Sequence, residues 1–416
     1  MAQAALATDT RPSPGLKHPM NLGKQAFADR KYEIYEWLRE EAPLYRAKVA
    51  FLEVHVVSRY DDCVALLKDP RFVRNRTTAT GGRRMPFPMP RSLSLLANSM
   101  IVEDDPAHRR LRSLVNSAFK PAAIARIESR VERLTHELLD RVERDGPVDL
   151  MPAYCHPIPV TVISELVGVT EADMPIFSRL MESLSQGGMT PWNIFKALVV
   201  ELPKSTRFVR ELVARKRQDP RDDILTGLVH AEEDGERLTE DEIVSLVFLL
   251  VVAGFETTVH LITNGVIALL RHPEQLERLR AEPERIDTAV DEILRYCGPV
   301  HGTKMNYATE PIDWHGTVLP KGTPVVPLLG AANRDPRAFD EPEVFDITRS
   351  PNRHIAFGHG AHFCLGSQLA RMETRLAIAT LLERCPNLRL ANPSEPLEIQ
   401  NIPMWHRHKS LRVVLG

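Results

Sequence analysis

Apolar residues recur at helical spacing along most of the chain and at strand spacing along little of it. Helices are predicted at Ile34–Glu41, Asp61–Leu67, Ala107–Ala118, Ala122–Arg144, Thr161–Leu166, Thr206–Arg217, Ile224–Ala231, Thr239–Leu270, Pro273–Ala281, Ile286–Tyr296 and Gly366–Cys385. Strand signals fall at Leu52–Val57, Pro311–Trp314 and Pro324–Pro327, with a C-terminal pair around Leu388 and Leu411–Leu415. The Pro-rich patches Met85–Pro90 and Cys155–Pro159 read as loops. The pattern predicts a mainly α fold with small β sheets (α+β), with a disordered segment over residues 1–18 and a single domain over 19–416.

One helix departs from the ordinary amphipathic pattern. Thr239–Leu270 would be roughly 48 Å long at about 1.5 Å per residue, enough to cross a whole domain. Thr239 and Glu242 form a capping box at its start. Its middle reads Ala253-Gly254-Phe255-Glu256-Thr257-Thr258. A glycine, a charge and two threonines inside an apolar helix are poor choices for helix stability alone. The most apolar stretch, Val244–Gly254, is shorter than the roughly 20 residues of a membrane span, and Glu256, His260 and Asn264 follow it. A buried core helix is therefore expected, with no membrane anchor.

Composition narrows the class. The chain has 416 residues, 43% hydrophobic and 26% charged, enough for a sizeable core under a solvated surface. A net charge of −2 without long runs of one sign gives no footprint for nucleic acid. The five cysteines, Cys63, Cys155, Cys297, Cys364 and Cys385, are odd in number and lack CxxC spacing. That argues against a zinc site or a disulfide framework and for a reducing, cytoplasmic compartment. The N-terminus lacks the basic start and apolar block of a secretory signal.

The most informative segment is Phe357-Gly358-His359-Gly360-Ala361-His362-Phe363-Cys364-Leu365-Gly366. A thiolate forms a strong, electron-donating bond to haem iron. A helix start just after it favours the deprotonated sulfur. Gly358 and Gly360 permit a tight turn whose N–H groups can face the sulfur. Gly366 offers no side chain to hold a macrocycle away, and Phe357 can shield the sulfur from water. A lone cysteine after a glycine turn is usually only a buried thiol; here every position around it is filled. The segment resembles the haem-binding signature of the cytochrome P450 family, most closely its soluble bacterial members. The resemblance extends from about residue 20 onward through several motifs in the family's order.

Those motifs assign further roles by resemblance. Glu292-Ile293-Leu294-Arg295 is similar to the ExxR motif, and its i, i+3 spacing puts both charges on one helix face. The family uses that pair, with a later arginine, as the scaffold of the cysteine loop. Asn333-Arg334-Asp335-Pro336 resembles a downstream part of the same scaffold. The Ala253–Thr258 segment is similar to the oxygen-activation motif, in which Glu256 relays protons and Thr257 hydrogen-bonds oxygen at the iron, in a locally opened helix. His108 and Arg112, at i, i+4, and His362 match residues that hold haem propionates. One position departs: Asn306 stands where the family's R-x-A-T-E stretch has a propionate-binding arginine. Either that salt bridge is absent, or Lys304 or another base replaces it.

The resemblance implies haem b between the long central helix and the cysteine-loop helix, with Cys364 as the axial metal ligand. It implies O2-dependent monooxygenation with electrons derived from NAD(P)H. The motifs occupy nearly the whole chain, so a separate ferredoxin and ferredoxin reductase are expected, docking near Arg112, Arg353 and Arg371. A peroxide-driven haem peroxygenase and a non-catalytic haem-thiolate sensor are the rival readings; retention of Glu256 and Thr257 argues against the first. By family analogy, Phe87, the helix near Met181–Leu184, Leu249, Ala253, Val300, Ile402 and Met404 line the substrate pocket. Their apolar character predicts a lipophilic small molecule.

Overall fold

The computed structural model describes residues 15, 17–49, 52–82, 95, 98–118, 121–142, 146–185, 200–233 and 235–416, without side chains at 121–126, 180–185 and 233. The expectation for residues 1–18 falls almost wholly outside these, as do Phe87 and the Met85–Pro90 loop. So do the side chains of Met181 and Leu184.

The chain forms two compact units that interleave along the sequence. The first comprises Met1–Arg84, Asn264–Cys364 and Ser394–Ser410. Its five-stranded sheet runs in the order Leu44–Val49, Leu52–Val57, Pro324–Pro327, Asn306–Ala308, Phe72–Val73. Helix Lys31–Glu41 packs Ile34, Tyr35 and Leu38 against Val54, Val56 and Val326 of that sheet. Helix Tyr60–Lys68 packs Cys63 and Leu66 with Val57, Phe72, Ala308, Val325 and Ile355. Each fully buried aliphatic or aromatic side chain contributes about 1.5–3 kcal/mol, so these clusters fix both helices on the sheet.

The second unit comprises Met85–Thr263, Leu365–Pro393 and Leu411–Gly416. It is mostly helical, with a three-stranded sheet of Arg389–Leu390, Arg412–Val414 and Pro147–Asp149. Helix Ser367–Arg384 lies against helix Pro121–Arg141, where the Thr135 and Thr380 hydroxyls meet at 3.1 Å. Tyr154 donates its hydroxyl proton to the Ala377 carbonyl at 2.7 Å.

The central helix spans Glu240–Arg271, 32 residues, and the boundary between the units falls within it, after Thr263. Its capping box is made as expected. Thr239 N donates to the Glu242 carboxylate at 2.8 Å, and Glu242 N to the Thr239 hydroxyl at 3.3 Å. Taken whole, this helix is long and apolar enough to cross a membrane, a property its short apolar run did not suggest. Val244, Val247, Phe248, Val251, Ile262 and Val266 are at most 2% exposed, so it is a buried core helix.

Cys155–Pro159 is not a loop. A π-turn over Met151–Cys155 leads directly into helix Pro157–Val167. Both prolines fall in its first turn, where backbone N–H groups have no intrahelical partner to lose. No disulfide joins the five cysteines; Cys63, Cys155, Cys297 and Cys385 are buried, and Cys364 alone is partly accessible.

Candidate active site: a cysteine loop on a buried ion pair, and a polar step in the central helix

The cysteine loop belongs to the first unit. Gly358 and Gly360 both have φ of 73°, a conformation that side chains other than glycine's rarely adopt. Gly358 N donates to the Ile355 carbonyl at 2.9 Å, Phe363 N to Gly360 at 3.0 Å, and Cys364 N to Phe357 at 3.0 Å. The last bond closes the turn and brings Phe357 back to the cysteine. A Cβ on Gly360 would lie 2.4 Å from the Leu67 carbonyl, so the turn rests directly on the end of helix Tyr60–Lys68. His362 lies in a single 3-10 turn just before the cysteine. A Cβ on Gly366 would meet nothing within 4 Å, so open space adjoins the residue two beyond Cys364.

Glu292 and Arg295 support this loop from below. Their side chains are 0% exposed, and the guanidinium donates twice to the carboxylate, each at 2.8 Å. Arg295 also donates to the carbonyls of Asn333 (3.0 Å), Pro342 (2.8 Å) and Val344 (2.9 Å). Glu292 accepts in addition from Asp346 N (2.9 Å) and Asn352 Nδ2 (3.0 Å), with Arg349 Nε at 3.3 Å. Arg349 is the later arginine of the expected network. Asn333 links the network to the loop, since its Oδ1 accepts from Ile355 N at 2.8 Å. The neighbouring Arg334 lies between the rings of Tyr32 and Tyr296, 3.9 Å from each centroid.

In the second unit, the polar step of the central helix runs without the opening expected there. Thr257 donates its hydroxyl proton to the Ala253 carbonyl at 2.6 Å, and Thr258 donates to Gly254 at 3.0 Å. Such i to i−4 bonds let hydroxyls sit within a continuous helix. Ala253 is exposed, and Leu249 one turn earlier is half-buried on the same face. Glu256 is half-buried. The ring of His156 stands edge-on to Phe255 at 5.1 Å. Burial lowers the His156 pKa, and the charges of Glu256 and Asp149 oppose that shift. His108 is buried, 3.7 Å from Asp105, and desolvation lowers its pKa. Arg112 lies one turn further along the same helix and adds to that lowering.

Of the pocket residues in the first unit, Val300 bridges to Trp405, and His301 N donates to the Met404 carbonyl at 2.8 Å, bringing Val300 and Met404 together. Ile402, also half-buried, is two residues away. Behind them lies a cluster that the motifs did not signal. Lys31 Nζ reaches the Trp405 carbonyl (3.1 Å) and His406 Nδ1 (3.2 Å), and His406 stacks on His301 at 5.3 Å. Desolvation lowers the Lys31 pKa to about 8 and that of His408 to about 4, and carries His301 and His406 well below the ordinary histidine value. Asn306 is buried and donates to the carbonyls of Lys304 (3.3 Å) and Val325 (3.4 Å).

A partly accessible cysteine thus ends a closed glycine turn that a fully buried Glu–Arg pair braces, within a mostly helical fold. The family model "Cytochrome P450" matches residues 162–403. The chain is 37% identical over 398 residues to the polyketide biosynthesis cytochrome P450 PksS of Bacillus subtilis, covering 94% of this chain and 95% of that one. The solved structure of PksS superposes with a TM-score of 0.88, at 36% identity, covering 95% of this chain and 99% of that chain. Vitamin D(3) 25-hydroxylase of Pseudonocardia autotrophica is 38% identical over 367 residues, 88% of this chain and 89% of the other. The structure of P450BioI in complex with an acyl carrier protein carrying hexadec-9Z-enoic acid gives a TM-score of 0.83 at 34% identity, covering 94% and 99%. The chain belongs to the cytochrome P450 family and is a P450 oxidoreductase; the family carries haem and takes electrons from redox partners.

Proposed function

We propose that this protein is an O2-dependent monooxygenase of a lipophilic small molecule, with haem b held by Cys364 and electrons delivered from NAD(P)H through a separate ferredoxin and its reductase. The observation that carries the assignment of Cys364 is its accessibility: the other four thiols are buried, and this one ends a turn built on the Glu292–Arg295 network. The buried free thiols also support a reducing, cytoplasmic compartment.

The residues present fit the cofactor. By their chemistry, Cys364 would supply the thiolate, Gly366 sets no side chain against a macrocycle, and His108, Arg112 and His362 would supply cationic or hydrogen-bonding partners for its propionates. Haem supplies the activation of O2, with one oxygen atom going to substrate and one to water at the expense of two electrons and two protons. The protein's own part is placement and proton delivery. Glu256 is only half-buried, so its carboxylate can exchange protons with solvent and present them on the helix face. Thr257 commits its own proton to Ala253, which leaves the hydroxyl oxygen as an acceptor that can position a proton donor. Leu249, Ala253, Val300, Ile402 and Met404 offer apolar surface, which supports a lipophilic substrate. Relatives named for polyketide, vitamin D and fatty-acyl chemistry support the same class. Arg112, Arg353 and Arg371 are the basic residues proposed to receive the ferredoxin.

The test has two parts. Cys364→Ser should abolish the thiolate signature of the ferrous–CO spectrum; its survival would remove the assignment. With surrogate ferredoxin and reductase, compounds that shift the Soret band should stimulate NAD(P)H consumption and yield oxygenated product, whereas a sensor would show the shift without turnover.

A further inference from the structure

Near the C-terminus the chain makes a hairpin. Ile399 bridges to His408, and Gln400 N donates to the Arg407 carbonyl at 2.9 Å. The tip between them carries Ile402 and Met404, and it lies back on the stretch around Val300. Trp405 bridges to Val300, and His406 N donates to the Pro299 carbonyl at 2.8 Å. Lys31, the first residue of helix Lys31–Glu41, meets the same tip. Its Nζ donates to the Trp405 carbonyl at 3.1 Å and to His406 Nδ1 at 3.2 Å. Neither partner is a carboxylate, yet Lys31 is only 3% exposed. An ammonium buried against neutral groups is costly, and an apolar side chain of similar length would fill the space without that cost. The groups around it add no anion. The rings of Tyr32 and Tyr35, on the same helix, stand 5.9 and 5.6 Å from His301. Burial, and then the charge of Lys31, keep His301, His406 and His408 neutral at pH 7; Arg334 adds to this at the first two and Arg271 at the third.

We propose that Lys31 is a positioning residue for substrate: its ammonium clamps the hairpin tip and so fixes how Ile402 and Met404 stand relative to Val300, and with that the bulk of substrate admitted. The proposal rests on the reading that these three residues line the substrate pocket. The clamp acts on backbone, at the carbonyl of the residue after Met404, so its release frees the tip as a whole. An ammonium offers three N–H donors in charge-assisted bonds, whereas a neutral amine offers two in weaker ones. Desolvation lowers the Lys31 pKa from 10.5 to about 8, which puts the exchange between the two forms just above neutral pH. With the folded pKa the lower one, charge on Lys31 opposes folding at pH 7, and its contribution to stability rises as pH climbs from about 8 to 10.5. The clamp changes in the opposite sense, tight below about pH 8 and looser above it. A lysine that served the fold alone would not set substrate fit against stability in this way.

The experiment uses the haem-loaded full chain and two probes that bind haem iron through nitrogen: imidazole, which is small, and clotrimazole, which carries three aryl rings. Dissociation constants are read from the Soret shift and referred to the free base at each pH. In the wild type, clotrimazole affinity relative to imidazole should fall about threefold between pH 7 and pH 9, as charge-assisted bonds give way to ordinary ones. Lys31→Met should bind imidazole as the wild type does, bind clotrimazole about tenfold more weakly at pH 7, and lose the pH step. Wild-type clotrimazole binding in Lys31→Met would overturn the proposal. So would equal losses for both probes, which mark general damage at the haem. If Lys31→Met folds poorly by circular dichroism, the wild-type pH step decides, and its absence would overturn the proposal. Ile402→Ala separates the two possible failures. A changed clotrimazole affinity there, with none in Lys31→Met, refutes the clamp alone; no change in either refutes the pocket reading on which it depends.

Discussion

Arg295→Ala should leave a protein that folds poorly around its cysteine loop and carries little haem. The substitution removes five hydrogen bonds at a side chain with no exposure: two to the Glu292 carboxylate, and one each to the carbonyls of Asn333, Pro342 and Val344. Breaking a buried ion pair from one side costs about 3–5 kcal/mol. Three carbonyls also lose a donor, that of Asn333 at a buried position, so the upper end of that range applies, although Glu292 keeps Arg349, Asn352 and the Asp346 N–H. A loss near 5 kcal/mol is a large share of the about 5–15 kcal/mol by which folded domains exceed their unfolded chains. Glu292→Ala should be at least as damaging, because it leaves two arginines facing each other without their shared anion. Arg349→Ala should be milder, about 1–2 kcal/mol, since that side chain is 12% exposed and meets the carboxylate at 3.3 Å. The assay is haem per polypeptide by pyridine haemochrome, together with the denaturant midpoint. Normal haem content in Arg295→Ala and Glu292→Ala, or a larger loss in Arg349→Ala than in Arg295→Ala, would refute the scaffold role.

Thr257→Ala should keep haem and substrate binding while product per NAD(P)H falls and peroxide rises; Glu256→Ala should instead slow the whole cycle. Unchanged coupling and rate in both would make the pair structural only. Gly360→Ala should destabilise the loop, because its Cβ meets the Leu67 carbonyl at 2.4 Å on a backbone with φ of 73°. Gly366→Ala should leave the apoprotein as stable as wild type, since open space adjoins it, while weakening haem retention; equal losses of melting temperature in the Gly360→Ala and Gly366→Ala apoproteins would contradict this. His408 is held near pKa 4 in the fold against 6.5 as an ordinary histidine. The unfolded chain therefore binds its proton first as pH falls, and stability should drop between about pH 6.5 and 4. His408→Gln should flatten that limb of the melting-temperature profile, and an unchanged slope would show that other groups govern it.

Long elements were legible because their signals are local. Ala107–Ala118 and Pro273–Ala281 form with the predicted bounds, and the central helix starts at the capping box that Thr239 and Glu242 spell out. Strands such as Leu52–Val57 and Pro324–Pro327 were legible too, but the shortest were not. Phe72–Val73 has two residues and Asn306–Ala308 three, too few to show alternation, and they exist because the sheet supplies partners. Prolines misled at Cys155–Pro159, where a breaker signal marked a helix start. The Glu292–Arg295 pair could be read from i, i+3 spacing, but most of its partners lie some 40–60 residues later, beyond any local rule. The Lys31–His301–His406 cluster joins three distant segments and matches no motif.

Met404 is a non-glycine residue with φ of 64°, and a Cβ on Gly302 would lie 2.7 Å from its sulfur and 3.1 Å from its own Cβ and Cγ. What position 302 tolerates therefore depends on the residue at 404. A side chain at 302 forces the Met404 sulfur to swing away and its Cβ to give by a few tenths of an ångström, whereas glycine at 404 would both clear the space and relax the left-handed backbone. A path that changes 302 first meets a barrier that Met404→Gly first, or the pair Gly302→Ala with Met404→Gly, does not. Directed evolution of this enzyme should therefore randomise the two codons together, because their epistasis hides from single-site saturation the variants that reshape this stretch.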